Sequence, residues 1–321
     1  MLQEKLKPFN NDDMSIWQKM DDDHILNGLV AGGIMNTKLL VAVIFTVFLF
    51  EACTSQTSMS GALDTSPAIP LDNQATFKAY EYRFDGPEVI EAGMATVQLT
   101  NAGQEPHELQ LLKLPNNRTA ADLISAVNAN PFHFPDWVTA IGGPNSVMPG
   151  AQALTIQNLT PGEYLLICMV PVPGPPGKFH FSVGMQKPLR VVASSKAHNK
   201  EPISDVKIDE LDFKFTPDRP LKAGRHIIHV VNNGKQTHGL QLVQLSAGST
   251  IKDFVMALAP GATTRPPGKS IGGVTGLDSG MQAFFPVDLA TGNYGIVCFF
   301  RDPQTKVPHF SQGMMLDFTV E

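Results

Sequence analysis

The chain has 321 residues, 43% of them hydrophobic and 17% charged, with a formal net charge of −6. That length holds two domains of about 100–150 residues, and the mild acidic excess leaves no basic face for nucleic acid. Three cysteines, Cys53, Cys168 and Cys298, are too few for a disulfide framework, and 25 prolines with 27 glycines favour a turn-rich fold over a long-helix bundle.

The first pattern in chain order is an apolar run over residues 39–50. Twelve residues are too few to cross a bilayer, which takes about 20. The length suits the apolar core of a secretory signal, with Lys38 as the charge in front of it. Ala52 and Cys53 follow, so the segment resembles a bacterial lipoprotein signal with Cys53 as the lipidated first residue. Phe50 and Glu51 stand where such signals carry an aliphatic and a small residue. Met35-Asn36-Thr37-Lys38 is a conventional beginning for a signal. Residues 1–34 therefore read as a gene-model extension or disordered tail, 35–53 as the signal peptide, and the Ser/Thr-rich 54–74 as a flexible tether. This reading places the protein in the periplasm or on the outer surface of a bacterial membrane, tethered by its lipid or signal anchor.

The remaining chain repeats itself. NAGQEPHELQLLKL at 101–114 aligns with NNGKQTHGLQLVQL at 232–245, an offset of 131 residues. Thr119-x-x-Asp122 and Thr250-x-x-Asp253 keep that offset, and each reads as a capping box opening a short helix. Ile141-Gly142-Gly143 pairs with Ile271-Gly272-Gly273, and Cys168 with Cys298, at offset 130. His180 pairs with His309 and Met185 with Met314 at offset 129. Around the helix each copy reads as β: 95–101, 107–114, 163–168 and 188–193, then 226–232, 238–245, 293–298 and 315–320. The expected fold is all-β, two tandem Greek-key β-sandwich domains with one short helix each, at 75–193 and 204–321, joined by a linker at 194–203.

Each copy carries the same four metal-type side chains in the same order. They are His107, Cys168, His180 and Met185 in the first, and His238, Cys298, His309 and Met314 in the second. Two imidazoles, one thiolate and a weak thioether are the donor set of a blue-copper electron-transfer site, so up to two copper ions are expected, one per domain. Singly, a buried cysteine or methionine is more often inert core. The recurrence of all four in register weighs against that account. His133 has no counterpart and reads as structural or exposed. His226 and His229, three apart on one strand, face opposite ways. His24 and His198 fall in tail and linker. The sequons at Asn117 and Asn158 read as coincidental behind a bacterial-type signal.

With these motifs the chain resembles the cupredoxin family, which includes plastocyanin and azurin. The match runs through Asn101 to His107, Gly162-Glu163-Tyr164 to Cys168, His180 and Gly184-Met185, and again through Asn232 to His238, Gly292-Asn293-Tyr294 to Cys298, His309 and Gly313-Met314. It covers most of residues 75–321. Two departures stand out. The family's cysteine-to-histidine loop is short, whereas eleven residues separate Cys168 from His180 and ten separate Cys298 from His309. Family members often place Asn after the first histidine; here Glu108 or Gly239 follows.

The resemblance implies one-electron transfer with redox partner proteins of the cell envelope, and no catalysis by the chain itself. Two other readings share the fold. A copper nitrite reductase or multicopper oxidase would need a second copper held by extra histidines, and the sequence from Cys53 onward has no His-x-His pair. A metal-free interaction module or a copper-storage protein would need only the sandwich or the ligands.

Overall fold

The computed structural model describes residues 72–321 apart from 131–132, 174–176, 197 and 260, together with residues 9–10, 13–14 and 17. The apolar run at 39–50, Cys53 and His24 lie outside the described residues.

Strands form where side chains alternate between core and solvent. β1 (Gln74–Tyr80) buries every second residue, as a strand with one face on a core must. Domain 1 continues through β2 (Arg83–Asp85), β3 (Val89–Glu91), β4 (Gly93–Asn101), β5 (Gln110–Leu114), α1 (Ala120–Ala129), β6 (Thr139–Gly142), β7 (Gln152–Leu159), β8 (Gly162–Ile167) and β9 (Gln186–Val192). Domain 2 has β10 (Val206–Leu211), β11 (Lys214–Pro217), β12 (Gly224–Asn232), β13 (His238–Leu245), α2 (Ile251–Met256), β14 (Gly268–Leu277), β15 (Gln282–Leu289), β16 (Gly292–Val297) and β17 (Met315–Val320). Both helices open on the expected capping boxes, with Thr119 and Thr250 accepting from the N–H of Asp122 and Asp253 and each carboxylate accepting the Thr N–H in return.

The strands form two sheets, in the orders β11-β10-β12-β15-β7-β4-β1-β2 and β17-β16-β13-β14-β6-β5-β8-β9-β3. Each domain is a sandwich of one half of each. Phe77, Leu99, Leu111 and Leu166 fill the first core, and the repeat-related Ile208, Val230, Leu242 and Ile296 fill the second.

The domains are not separate beads. Both sheets run through the seam, where β7 meets β15 at Ile156 and Phe284, and β6 meets β14 at Ile141 and Leu277. Buried Asn145 donates from its side chain to the carbonyls of Leu240 (3.1 Å) and Val274 (2.9 Å). Gln110 donates to the Gly276 carbonyl at 3.0 Å. These bonds satisfy backbone groups that a tight seam would otherwise orphan.

A second, smaller core lies under each helix. In domain 1, Leu123 and Phe181 are covered by Phe134 and Phe179, with Trp137 at the margin. Domain 2 has Thr264 and Pro267 where Phe134 and Trp137 stand. Its cover over Phe254 and Phe310 comes from the start of the chain. Trp17, 7% exposed, meets Phe310 edge-on at 5.1 Å between ring centroids, Phe9 lies 5.5 Å from the same ring, and Asp13 holds Lys252 at 2.7 Å. Trp17→Ala in the full chain is expected to uncover this patch, raising binding of an apolar fluorescent dye and speeding proteolysis ahead of residue 72. Unchanged dye binding and cleavage would show that the contact does not hold in solution.

Candidate metal centres

An asparagine at the end of a long strand builds the turn that carries the first histidine. Asn101 donates to the carbonyls of Glu105 (2.7 Å) and Val147 (2.9 Å), and its Oδ1 accepts the Gly103 N–H. Asn232 does the same with Gln236, Leu277 and Gly234. A Cβ at Gly103 or Gly234 would stand 2.7 Å from Nε2 of His107 or His238, so only glycine lets the turn lie this close to the ring. His238 opens β13, but His107 stands ahead of β5 and bridges only to Val147. Pro106, which has no N–H to pair, precedes it where domain 2 has Thr237.

Cys168 and Cys298 follow directly on β8 and β16. The long loops after them are pinned near their ends by backbone bonds. Val172 N–H donates to the Lys178 carbonyl (2.8 Å) and His180 N–H to Val170 (2.9 Å). In domain 2, Asp302 N–H donates to Val307 (3.0 Å) and His309 N–H to Phe300 (2.8 Å). With those bonds made, each histidine stands beside its cysteine. His180 and His309 each open a 3₁₀ turn that ends on Gly184 or Gly313, at φ 115° and 112°. That left-handed residue reverses the chain into Met185 or Met314. The methionine N–H then bonds its histidine's carbonyl, and its carbonyl accepts the cysteine N–H.

All eight predicted residues are fully buried, and the six histidines and cysteines come together as two sets of three. His107 Nδ1 and His180 Nδ1 are 3.1 Å apart, with Cys168 Sγ 3.9 and 3.5 Å from them. His238 Nδ1 and His309 Nδ1 are also 3.1 Å apart, and Cys298 Sγ is 3.5 Å from the latter. Met185 packs in the same buried cluster as Cys168, and Met314 in that of Cys298.

The outer nitrogens decide what the inner ones can do. His107 Nε2 faces Glu81 Oε1 at 3.3 Å, His180 Nε2 faces Glu105 Oε2 at 2.8 Å, and His238 Nε2 faces Asp212 Oδ1 at 2.8 Å. His309 Nε2 faces the Gln236 amide oxygen at 2.9 Å. Glu81, Asp212 and Gln236 accept from Nε2, so those imidazoles keep their proton there and turn the Nδ1 lone pair inward, whereas Glu105 stands at ion-pair distance from His180 without hydrogen-bond geometry. The two Nδ1 atoms face each other at 3.1 Å, with a cysteine sulfur 3.5 Å from the second in each set. Burial, helped by the neighbouring His107, pushes His180 down to about 4; burial and His238 push His309 down to about 3. The imidazoles are thus uncharged near neutrality, a donor set that suits a cation with affinity for imidazole and thiolate. Two nitrogens, one sulfur and a nearby thioether fit copper.

The thiols themselves are held protonated. Burial pushes Cys298 up to about 12, and burial together with the Glu108 carboxyl raises Cys168 well above the ordinary thiol range. Copper uptake must therefore displace a proton from each thiol. Titration of the metal-free protein near pH 7 should release about one proton per ion, with affinity rising roughly tenfold per pH unit. Uptake with no proton released would show that the thiols are not ligands.

The sequence reading missed the outer partners Glu81, Glu105, Asp212 and Gln236. The signal was available for one pair, because Glu81 and Asp212 also stand at offset 131. It also missed Glu210, a fully buried carboxyl in domain 2. The other described histidines stand apart from both clusters: His133 is 3.6 Å from Asp136, His198 2.9 Å from Glu91, His226 bonds Asp205, and His229 stacks on Phe284.

No protein-family model matches the sequence, and neither does any curated protein. Among solved structures the chain is similar to the dithionite-reduced auracyanin of Roseiflexus castenholzii, at 21% identity over 37% of this chain and 96% of that one, with a TM-score of 0.27. It is also similar to auracyanin A, a blue copper protein of Chloroflexus aurantiacus, at 23% identity over 37% of this chain and 99% of that one (TM-score 0.26). The copper-containing nitrite reductase of Thermus scotoductus matches at 13% identity over 78% of this chain and 61% of that one (TM-score 0.21). These likenesses concern the fold. By its own sheet order and its two buried His–Cys–His clusters, the chain is a tandem pair of β-sandwich domains, each with a donor set suited to copper.

Proposed function

We propose that the protein is an exported one-electron carrier of the cell envelope with two type 1-like copper sites. The observation that carries this reading is the convergence, twice, of two Nδ1 atoms and a cysteine sulfur in a buried cluster. In this reading His107, Cys168, His180 and Met185 hold one ion, and His238, Cys298, His309 and Met314 the other. Copper bound there supplies a Cu(II)/Cu(I) couple. The chain supplies a cradle tied by backbone bonds on every side, with no ligand residue open to solvent. That closure favours carriage over catalysis, since a catalytic metal needs an open position for its substrate. Export rests on the signal-like run at 39–50, and envelope redox proteins are the partners that reading requires. Cleavage ahead of Cys53 would also remove Trp17 and uncover Phe310.

Titration of the protein with Cu(II) tests the reading. Two equivalents should bind, with an intense thiolate-to-copper visible band that reverses on reduction, and with no turnover of nitrite or phenols. Cys168→Ala combined with Cys298→Ala should abolish the band. Absence of stoichiometric copper would defeat the reading, and turnover would replace it with the copper-oxidoreductase alternative.

A further inference from the structure

Register between the domains makes their differences legible. The partner of the first histidine is an acid in both, Glu81 or Asp212. The partner of the second is not the same. Glu105 stands behind His180, and at offset 131 its counterpart behind His309 is Gln236. Each is held in place by a matched residue. The Tyr82 hydroxyl donates to Glu105 at 3.5 Å, and the corresponding Phe213 has no hydroxyl. Gln236 instead donates to Asp302 at 2.8 Å, and Val172 stands at the corresponding place in domain 1. The negative charge is thus against the imidazole in domain 1 and one side chain further out in domain 2.

We infer that the two copper sites are tuned apart, Glu105 making the domain 1 site the lower-potential centre and Gln236 leaving the domain 2 site the higher-potential one. The inference rests on the copper reading above. Glu105 places a carboxylate 2.8 Å from the outer nitrogen of His180, where domain 2 has a neutral amide. Its charge favours the more positive oxidation state, and that attraction weakens with distance. Carboxyls near the thiols do not reverse the bias, because each domain has one: the half-buried Glu108 where domain 2 has Gly239, and the buried Glu210 where domain 1 has Ala79. An electron shared between the sites therefore rests on domain 2. A bonded route crosses the seam, from His107 N–H to Val147, back two residues to Asn145, and on to Leu240, two residues from His238.

The test is a spectroelectrochemical titration of the full chain loaded with two equivalents of copper. Cys168→Ala and Cys298→Ala, each keeping one site, assign the two one-electron waves. The domain 2 site should give the upper wave. Glu105→Gln should raise the domain 1 wave by about a tenfold change in the oxidised-to-reduced ratio, or about 59 mV. Gln236→Glu should lower the domain 2 wave by a similar amount. A domain 2 wave at or below that of domain 1 overturns the inference. So does a domain 1 wave that Glu105→Gln leaves in place, or, should that variant not fold, a domain 2 wave that Gln236→Glu leaves in place. Copper bound with unsplit waves refutes only the tuning, whereas failure to bind copper at all refutes the copper reading itself.

Discussion

Gly273→Ala is expected to cost domain 2 roughly 3 kcal/mol or more, while Gly280→Ala costs about 1–2 kcal/mol, the ordinary penalty of a left-handed residue with a Cβ. Both glycines have positive φ, 114° and 79°. At Gly280 an added Cβ meets nothing within 4 Å. At Gly273 it would fall on the Leu240 carbonyl oxygen, with the Leu242 nitrogen 3.2 Å away. Those are backbone atoms of β13, which pairs with β14 through Gly273 and Gln241, so no rotamer change relieves the clash. β13 begins at His238, and its neighbour Leu240 accepts the Asn145 bond across the seam. The substitution should therefore loosen the seam and the second metal cluster together. Urea unfolding of both variants measures the difference, with copper uptake by domain 2 as the second readout. Equal losses in the two variants would show that the close backbone approach at Gly273 is not what demands glycine. Gly143 packs on the Leu109 carbonyl in the same way at φ 135°, which accounts for the Ile-Gly-Gly marker in both copies.

Much of this arrangement was legible because it is local and repeated. Thr119 and Thr250 cap helices through bonds that span three residues, and spacing alone reveals those. The eight metal-type residues were found because two copies hold them in register. What was hidden depends on contacts that leave no pattern along the chain. The sheets join across the seam through scattered residue pairs, Ile156 with Phe284, Ile141 with Leu277, Pro144 with Val274 and Val147 with Ile271, too few to impose a periodicity. The long cysteine-to-histidine loops looked like an obstacle because their length was visible and their closure was not. Val172 to Lys178 and Asp302 to Val307 are backbone bonds, indifferent to side chain, so composition does not announce them. Glu81 and Asp212 act on histidines 26 residues downstream, across a turn whose shape the sequence does not state.

Metal-free wild-type protein is expected to lose stability relative to Glu210→Gln as pH rises from about 5 to about 8. Glu210 is fully buried, and neither of its carboxyl oxygens meets a hydrogen-bond partner among the described residues. Burial raises the group to about 8. The unfolded chain ionises it near the ordinary 4.5. A folded value above the unfolded one means that its contribution to stability is complete below that unfolded value and is lost as pH climbs toward about 8. A shift of this size corresponds to several kcal/mol at the upper end of the range. Glutamine keeps the shape but cannot ionise. Its unpartnered amide costs the fold something at every pH, so the slope with pH, not the offset, is the diagnostic quantity. Urea midpoints at several pH values for wild type and variant give that slope, and parallel curves would mean that Glu210 does not hold its proton in the folded state. Glu108 is the counterpart in domain 1: burial lifts it to about 7, although the Met169 N–H, donating at 3.2 Å, pulls the other way. Glu108→Gln should accordingly flatten the same curve by less, because one hydrogen bond already eases the ionised form there and none does at Glu210.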